Sequence, residues 1–135
     1  MILVVDANIL FAALIKKGVT AGMLFNPDLI LYSPEFALNE LRKYSKLLAT
    51  KTSRDIQTVE EMIALIKEVI TIVPAEEYDS YIQNAITISP DPHDIPYFAL
   101  ALRMKCGIWS NDKLLKQQRH VLIYSTSELM HHEKQ

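Results

Sequence analysis

Apolar residues in this chain fall into short blocks with two kinds of spacing. Ile2 to Val5 are apolar and mostly β-branched with no polar alternation, the pattern of a central strand buried on both faces. Asn8 to Ile15 reads as a short helix ended by Lys16-Lys17-Gly18, and Thr20 to Phe25 as a second. Leu29 to Tyr32 is a second apolar strand. Ser33-Pro34 then supplies the residue types that open helices, serine at the N-cap and proline at the first position. The helix it predicts runs from Pro34 to about Leu48, with Phe36, Leu38, Leu41, Leu47 and Leu48 as apolar positions. Ser53 to Glu68 is amphipathic, with Ile56, Val59, Ile63 and Ile66 on one stripe. Val69 to Val73 is a third strand, stopped by Pro74.

Ala75 to Ile88 is mixed and reads as helical. The two prolines of Ser89-Pro90-Asp91-Pro92-His93-Asp94 exclude a helix interior there. Ile95 to Lys105 is a strongly apolar helix with Pro96 in its first turn. Gly107 to Ser110 is a fourth strand, Asp112 to Gln118 a helix, Val121 to Tyr124 a fifth strand and Ser125 to His131 a last helix. Strands alternating with helices predict an α/β fold, a parallel sheet covered on both faces. No linker, repeat or charge block interrupts the pattern, so residues 1–135 read as one domain. Sheets of this kind bind ligands beyond the carboxyl ends of their strands, where the strand order reverses. That rule points to Asp6, after the first strand, and to Asn111-Asp112, after the fourth.

Composition narrows the chemistry. A chain of 135 residues, 50% of them hydrophobic, is long enough to bury a real core. An acid interrupts the first apolar run and no basic segment precedes it, so a secretory signal is not expected. The apolar runs fall short of the ~18–20 residues that cross a bilayer. Cys106 is the one cysteine, which excludes an internal disulfide and a cysteine zinc site and suits a reducing cytoplasm. It reads as a packing residue. A net charge of −2 gives no bulk attraction to a phosphate backbone. Acids that hold a metal nonetheless become a cationic site once the ion is bound.

Each acid has a structural explanation when taken singly. Asp6 closes a buried strand, where it needs a partner or a metal to stay ionised, or serves as a helix cap. Asn8 either caps the following helix or holds Asp6. Glu40, two turns into its helix between Leu38 and Leu41, reads as a surface residue. Asp91 and Asp94 suit a helix start, as does Asp112 after Asn111. Together they ask for more. In a sheet of order 3-2-1-4-5, Asp6 and Asp112 end neighbouring strands, and Glu40 and Asp94 can reach the same end. Carboxylates so gathered repel one another unless a cation lies between them, and oxygen-only donors select Mg²⁺ or Mn²⁺.

The sequence resembles the PIN-domain family. The resemblance rests on Val4-Val5-Asp6-Ala7-Asn8, on Ser33-Pro34 with Glu40 on the following helix, on Asp91-Pro92-His93-Asp94-Ile95-Pro96 before an Ala/Leu-rich helix, and on Trp109-Ser110-Asn111-Asp112-Lys113. It spans nearly the whole chain in order. It implies a three-layer α/β/α fold with a five-stranded parallel sheet of order 3-2-1-4-5, and Mg²⁺- or Mn²⁺-dependent cleavage of single-stranded RNA. Many small members of this family are toxins of toxin–antitoxin pairs, of the VapC type, and often form homodimers. An antitoxin protein and a second copy are therefore the partners implied beside RNA. Carried over by position, Asp6, Glu40, Asp94 and Asp112 match the family's acidic quartet, with Asn8 and Asn111 as supporting polar residues. Asp91 is either a second acid of the site or a turn residue. In this reading Asp6, Asp94 and Asp112 bind metal, and Glu40 binds a second ion or orients the water. The ion makes water nucleophilic near neutral pH, so no histidine or serine nucleophile is required.

Other features fit around that reading. His93 reads as a turn residue beside the site, with substrate contact as the alternative. His120, His131 and His132 read as surface residues, and Lys43, Lys46, Lys51, Lys113 and Arg119 as scattered solvated cations, some within reach of RNA. Trp109 and the tyrosines could stack on bases, although a strand tryptophan is usually core. A phosphatase forming an aspartyl-phosphate would want an acid where Asn8 stands and a glycine in that loop, and has neither. The remaining alternative is a catalytically silent PIN-like RNA-binding or protein-interaction module.

Overall fold

The computed structural model describes residues 1–16 and 18–133. Five strands, β1 (Ile2–Val5), β2 (Ile30–Pro34), β3 (Ile70–Val73), β4 (Gly107–Trp109) and β5 (Ile123–Tyr124), form one sheet of order β3-β2-β1-β4-β5. Every pairing is parallel. The order expected from the sequence is the one observed. The helices are α1 (Ala7–Ile15), α2 (Val19–Leu24), α3 (Glu35–Lys43), α4 (Ser45–Thr52), α5 (Ile56–Val69), α6 (Ile82–Ile88), α7 (Ile95–Met104) and α8 (Thr126–Glu133). They flank the sheet as a three-layer α/β/α sandwich. Helix α7 packs on β1, β2 and β4 with α6 beside it, and α1 ties together α2, α3, α4 and α5.

The unbroken apolar run of β1 has the predicted consequence: Leu3, Val4 and Val5 have no exposed surface. Ile108 and Trp109 on β4, and Phe98, Ala99 and Leu100 on α7, are as fully buried beside them. Gly107 has a steric reason. A Cβ there would lie 2.8 Å from the Leu122 carbonyl oxygen and 2.9 Å from the Tyr124 ring, so β5 can close on β4 only because no side chain intervenes.

Several expected boundaries shift, each for a local reason. Ser33 and Pro34 end β2 rather than opening a helix, because the Ser33 hydroxyl donates to the Val5 carbonyl of the neighbouring strand at 2.8 Å. The single helix expected from Pro34 to Leu48 is two, divided at Tyr44, whose ring packs edge-on against Phe11. Ser53 takes a left-handed conformation (φ 55°) after α4, and Asp55 instead caps α5, accepting from the Thr58 N–H at 2.7 Å. Ala75 to Tyr81 forms two 3-10 turns before α6. The helix expected over Asp112 to Gln118 is a single 3-10 turn, Lys113–Lys116. Its continuation is replaced by Gln118, whose amide bonds Leu115, His120 and Val121 main-chain groups. Of the basic stop expected after α1, Lys17 lies outside the described residues; Lys16 is extended and Gly18 precedes α2. Helix α8 opens with a capping box: the Ser125 hydroxyl accepts from the Glu128 N–H, and the Glu128 carboxylate accepts from the Ser125 N–H.

Candidate active site

The carboxyl ends of β1 and β4 lie side by side, since Val5 pairs with Trp109. The chain departs from them in opposite directions along the sheet, β1 to β2 on one side and β4 to β5 on the other, which makes this the crevice where a ligand is expected. Asp6 stands at its floor. Its N–H donates to the Trp109 carbonyl at 3.1 Å, as if β1 ran one residue further, and it then caps α1. The side chain is 4% exposed. One carboxylate oxygen accepts from the Asn8 N–H at 3.3 Å and the other from the Ser110 hydroxyl at 2.7 Å. Burial pushes the Asp6 carboxyl above the usual carboxylate range; the Ser110 and Asn8 hydrogen bonds oppose that rise, and the charge of Asp112 adds to it.

Asp94 ends the 3-10 turn Pro92–Asp94 and precedes α7. It is 8% exposed, and its carboxyl accepts no hydrogen bond among the described residues. Burial, and after it the charges of Asp6, Asp91 and Asp112, push it up to about 6. Asp112 is exposed; it caps its turn by accepting from the Leu114 N–H at 3.0 Å, and its own N–H donates to the Ser110 hydroxyl at 3.1 Å. Ser110, with 1% exposure, therefore joins the main chain at Asp112 to the side chain of Asp6. Asp91 is placed as a turn residue whose charge is felt at Asp94: it caps the turn by accepting from the His93 N–H at 2.9 Å.

The remaining expected residues are placed less centrally. Glu40 is half-buried on α3, and its charge reaches the Tyr97 phenol. Asn8 contributes its backbone N–H, while its side chain is exposed. Asn111 supports the site at one remove: its side chain accepts from the Thr126 N–H at 2.8 Å and donates to the Thr126 hydroxyl at 3.1 Å, which pins the loop after β4 to α8. Trp109 also donates to that hydroxyl, at 3.0 Å. Among the described residues no three of His, Cys, Asp and Glu are already gathered as a metal-ligand group. The acids share one electrostatic field without converging on a point.

Three side chains of this region carried little weight in the sequence. Ser110 was visible only as a small polar residue at the end of an apolar strand. The His93 imidazole lies edge-on to Phe36 at 5.1 Å and near enough to Asp6 and Asp94 for its charge to favour their ionised forms. Tyr97, one turn along α7 from Asp94, accepts from the Ala7 N–H at 3.3 Å through its phenolic oxygen. Its position three residues after Asp94 was the available signal.

The donor set is carboxylate oxygen, which suits a hard divalent ion. Two of the acids are buried with no lysine or arginine paired to them and only the His93 imidazole acting on them from a distance: among the described residues the one ion pair is Lys116 with Glu128, on the surface. Buried carboxylates under mutual repulsion fit an added cation better than they fit each other.

A family model described as PIN domain matches residues 4–129. Among solved structures, VapBC2 from Rickettsia felis, bound to a DNA fragment from its promoter, is similar with a TM-score of 0.74 at 13% sequence identity, over 93% of this chain and 98% of that chain. At that identity the likeness is one of fold. No curated protein matches the chain.

Proposed function

We propose, because the chain belongs to the PIN-domain family, that residues 1–135 are one nuclease domain that cleaves RNA internally with the help of Mg²⁺ or Mn²⁺. One observation carries the reading. Asp6 and Asp94 are buried together, each under the other's charge or that of Asp112, with no lysine or arginine paired to them among the described residues and only the charge of His93 opposing the repulsion. Such an arrangement costs stability unless something positive occupies it.

Asp6, Asp94 and Asp112 would hold the ion, and Glu40 would hold a second ion or orient the attacking water. Once bound, the ion supplies a water of lowered pKa and stabilises charge that develops on the phosphate. The chain's own residues prepare that chemistry. Ser110 and the Asn8 N–H fix both oxygens of Asp6 and oppose the rise that burial gives its carboxyl. Ser110 also holds the backbone of Asp112, so one hydroxyl sets the spacing between two of the acids. The Asn111–Thr126 pair braces the same loop from outside. Burial of Asp6 and Asp94 excludes bulk water, which strengthens every charge interaction there.

The likeness to VapBC2 is in keeping with a narrower form of the proposal, a toxin with an antitoxin protein as partner; a second copy as partner and action in the cytoplasm belong to the proposal through the family resemblance alone. No described helix is long and apolar enough to cross a membrane.

The test compares the wild type with Asp6→Ala on a structured RNA in Mg²⁺, Mn²⁺ or EDTA. Cleavage by the wild type alone, stopped by EDTA, is the expected outcome. No cleavage by either protein, with no metal-induced rise in melting temperature, would instead identify a silent RNA-binding or protein-interaction module. Equal cleavage by both would remove Asp6 from the mechanism.

A further inference from the structure

The turn before α7 carries an exposed ring next to a buried acid: His93 faces solvent, while Asp94, the next residue, is buried. The turn is fixed at both ends. The Asp91 carboxylate accepts from the His93 N–H at 2.9 Å, and the Asp94 N–H donates to the Asp91 carbonyl at 3.0 Å. The imidazole itself makes no hydrogen bond among the described residues. A neighbouring ring holds it instead: Phe36 lies edge-on to it, with centroids 5.1 Å apart and planes at 73°. Phe36 is half-buried and lies edge-on in turn to Tyr97, at 5.9 Å and 79°. Buried Tyr97 accepts from the Ala7 N–H, the peptide group directly after Asp6. Three rings thus run from solvent to the floor of the acidic crevice.

The outer two rings also neighbour the acids along the chain. His93 directly precedes Asp94, and Glu40 follows Phe36 by one turn on the same face of α3. In an edge-on pair one ring offers an edge and the other a face, so each keeps at least one face outside the pair. On the exposed imidazole that face is open to a ligand. The charge of the chain says which part of an RNA would use it. With a net charge of −2 and acids lining the crevice, phosphate contacts supply little attraction. RNA held here needs a source of affinity that does not depend on charge, and a base lying on an aromatic ring is one.

We propose that His93, backed by Phe36, is a base-stacking platform at the rim of the acidic crevice, on which an unpaired RNA base beside the cleaved phosphate lies against the open face of the imidazole. A base can take that position only outside a duplex, so the platform favours single-stranded RNA. This inference rests on the metal-nuclease reading, and its test includes binding measurements that need no cleavage.

Affinity for a short, labelled single-stranded RNA is measured by fluorescence anisotropy in Ca²⁺, and KM and kcat for its cleavage in Mg²⁺. His93→Ala is expected to bind about tenfold more weakly, the scale of one base–aromatic contact, with the loss in cleavage falling on KM more than on kcat. His93→Phe keeps a flat ring without charge or nitrogen, and is expected to stay within about twofold of the wild type. If it binds as weakly as His93→Ala, the imidazole nitrogens act on a phosphate and the proposal is overturned. RNAs with one base removed at each position in turn add a second criterion. At one position the missing base should weaken the wild type and cost His93→Ala nothing further; penalties that His93→Ala leaves unchanged at every position refute the platform. Should His93→Ala disturb the turn, the wild-type His93 ring protons are followed by NMR as RNA is added. An upfield shift from the stacked base is expected, and resonances that stay in place overturn the proposal. A wild type that binds RNA in this base-dependent way and never cleaves it would sink the nuclease reading and leave the platform standing. Cleavage and binding indifferent to His93→Ala would do the reverse.

Discussion

The two ends of the central sheet invert the usual rule of solvation. At the amino ends of the strands, apolar side chains face water: Ile2 on β1 is 42% exposed and its register partner Ile30 on β2 is 51% exposed. At the carboxyl ends the exposed positions give way to buried charge, at Asp6 and Asp94. Ile2 and Asp6 sit at opposite ends of β1, with Asp94 joining from the turn before α7, so strand propensity does not explain the difference. An exposed isoleucine costs little and is common on protein surfaces. A buried carboxylate without a cation is expensive. The first is tolerated without a reason; the second needs one, and the proposed cation would supply it.

The contrast is broken most severely at the acids. Asp94→Asn is expected to reduce metal-dependent RNA cleavage on the order of 10²–10³-fold, measured as kcat at saturating Mg²⁺. The same variant is expected to raise the stability of the metal-free protein at pH 7 by about 1 kcal/mol, because a neutral amide removes a repelled charge. Urea denaturation in EDTA checks this, and a loss of stability would mean that the carboxylate has a protein partner after all.

Gly107 sharpens the comparison from the other end of β4. Gly107→Ala forces a methyl group against the Leu122 carbonyl oxygen and the Tyr124 ring. It should cost about 2 kcal/mol by overpacking, read in the same denaturation, while Mn²⁺ affinity of the folded protein changes little.

The pH response is smaller and has a definite sign. The Asp94 carboxyl lies at about 6 in the folded protein against 3.8 for the free group, so the native state binds this proton more tightly than the unfolded chain. The resulting stabilisation is fully present below the unfolded value and is lost as pH rises through the folded one. In EDTA the wild type should therefore lose a few degrees of melting temperature, about 4 °C, between pH 5 and 7 relative to Asp94→Asn. Equal slopes for the two proteins would show that Asp94 ionises as if exposed. Smallest of all, Ile2→Lys at the amino end should change stability by less than about 0.5 kcal/mol.

How much of this was legible in the sequence depends on the range of the interactions involved. The bounds of β1 were read directly, because an apolar run needs only its own residues to declare burial on both faces. Alternation of strands and helices gave a parallel sheet, and its order was what the family resemblance implied. Ser33 misled because its hydroxyl has two uses: a helix cap is local, whereas the bond to Val5 depends on a strand 28 residues away. The break at Tyr44 was hidden for the same reason, since Phe11 comes from α1. In the site, the acids were visible as residue types at strand and helix ends. Ser110 and Tyr97 were not, because a hydroxyl in an apolar segment announces nothing until its partners, 104 and 90 residues away, are placed. Asn111 was carried over by position from the family, and its bonds to Thr126 at the start of α8 could not be read from that.

The chain has a single tryptophan, and the fold puts it where it can serve as a gauge. Trp109 is fully buried, its carbonyl holds the Asp6 N–H, its indole N–H is bonded to Thr126 at the start of α8, and the next residue grips the Asp6 carboxylate. Its ultraviolet emission is therefore an intrinsic optical label between the acidic crevice and the last helix. Any cation or nucleotide that settles among the acids alters the electric field at that one ring, and any loosening of α8 lets water reach it.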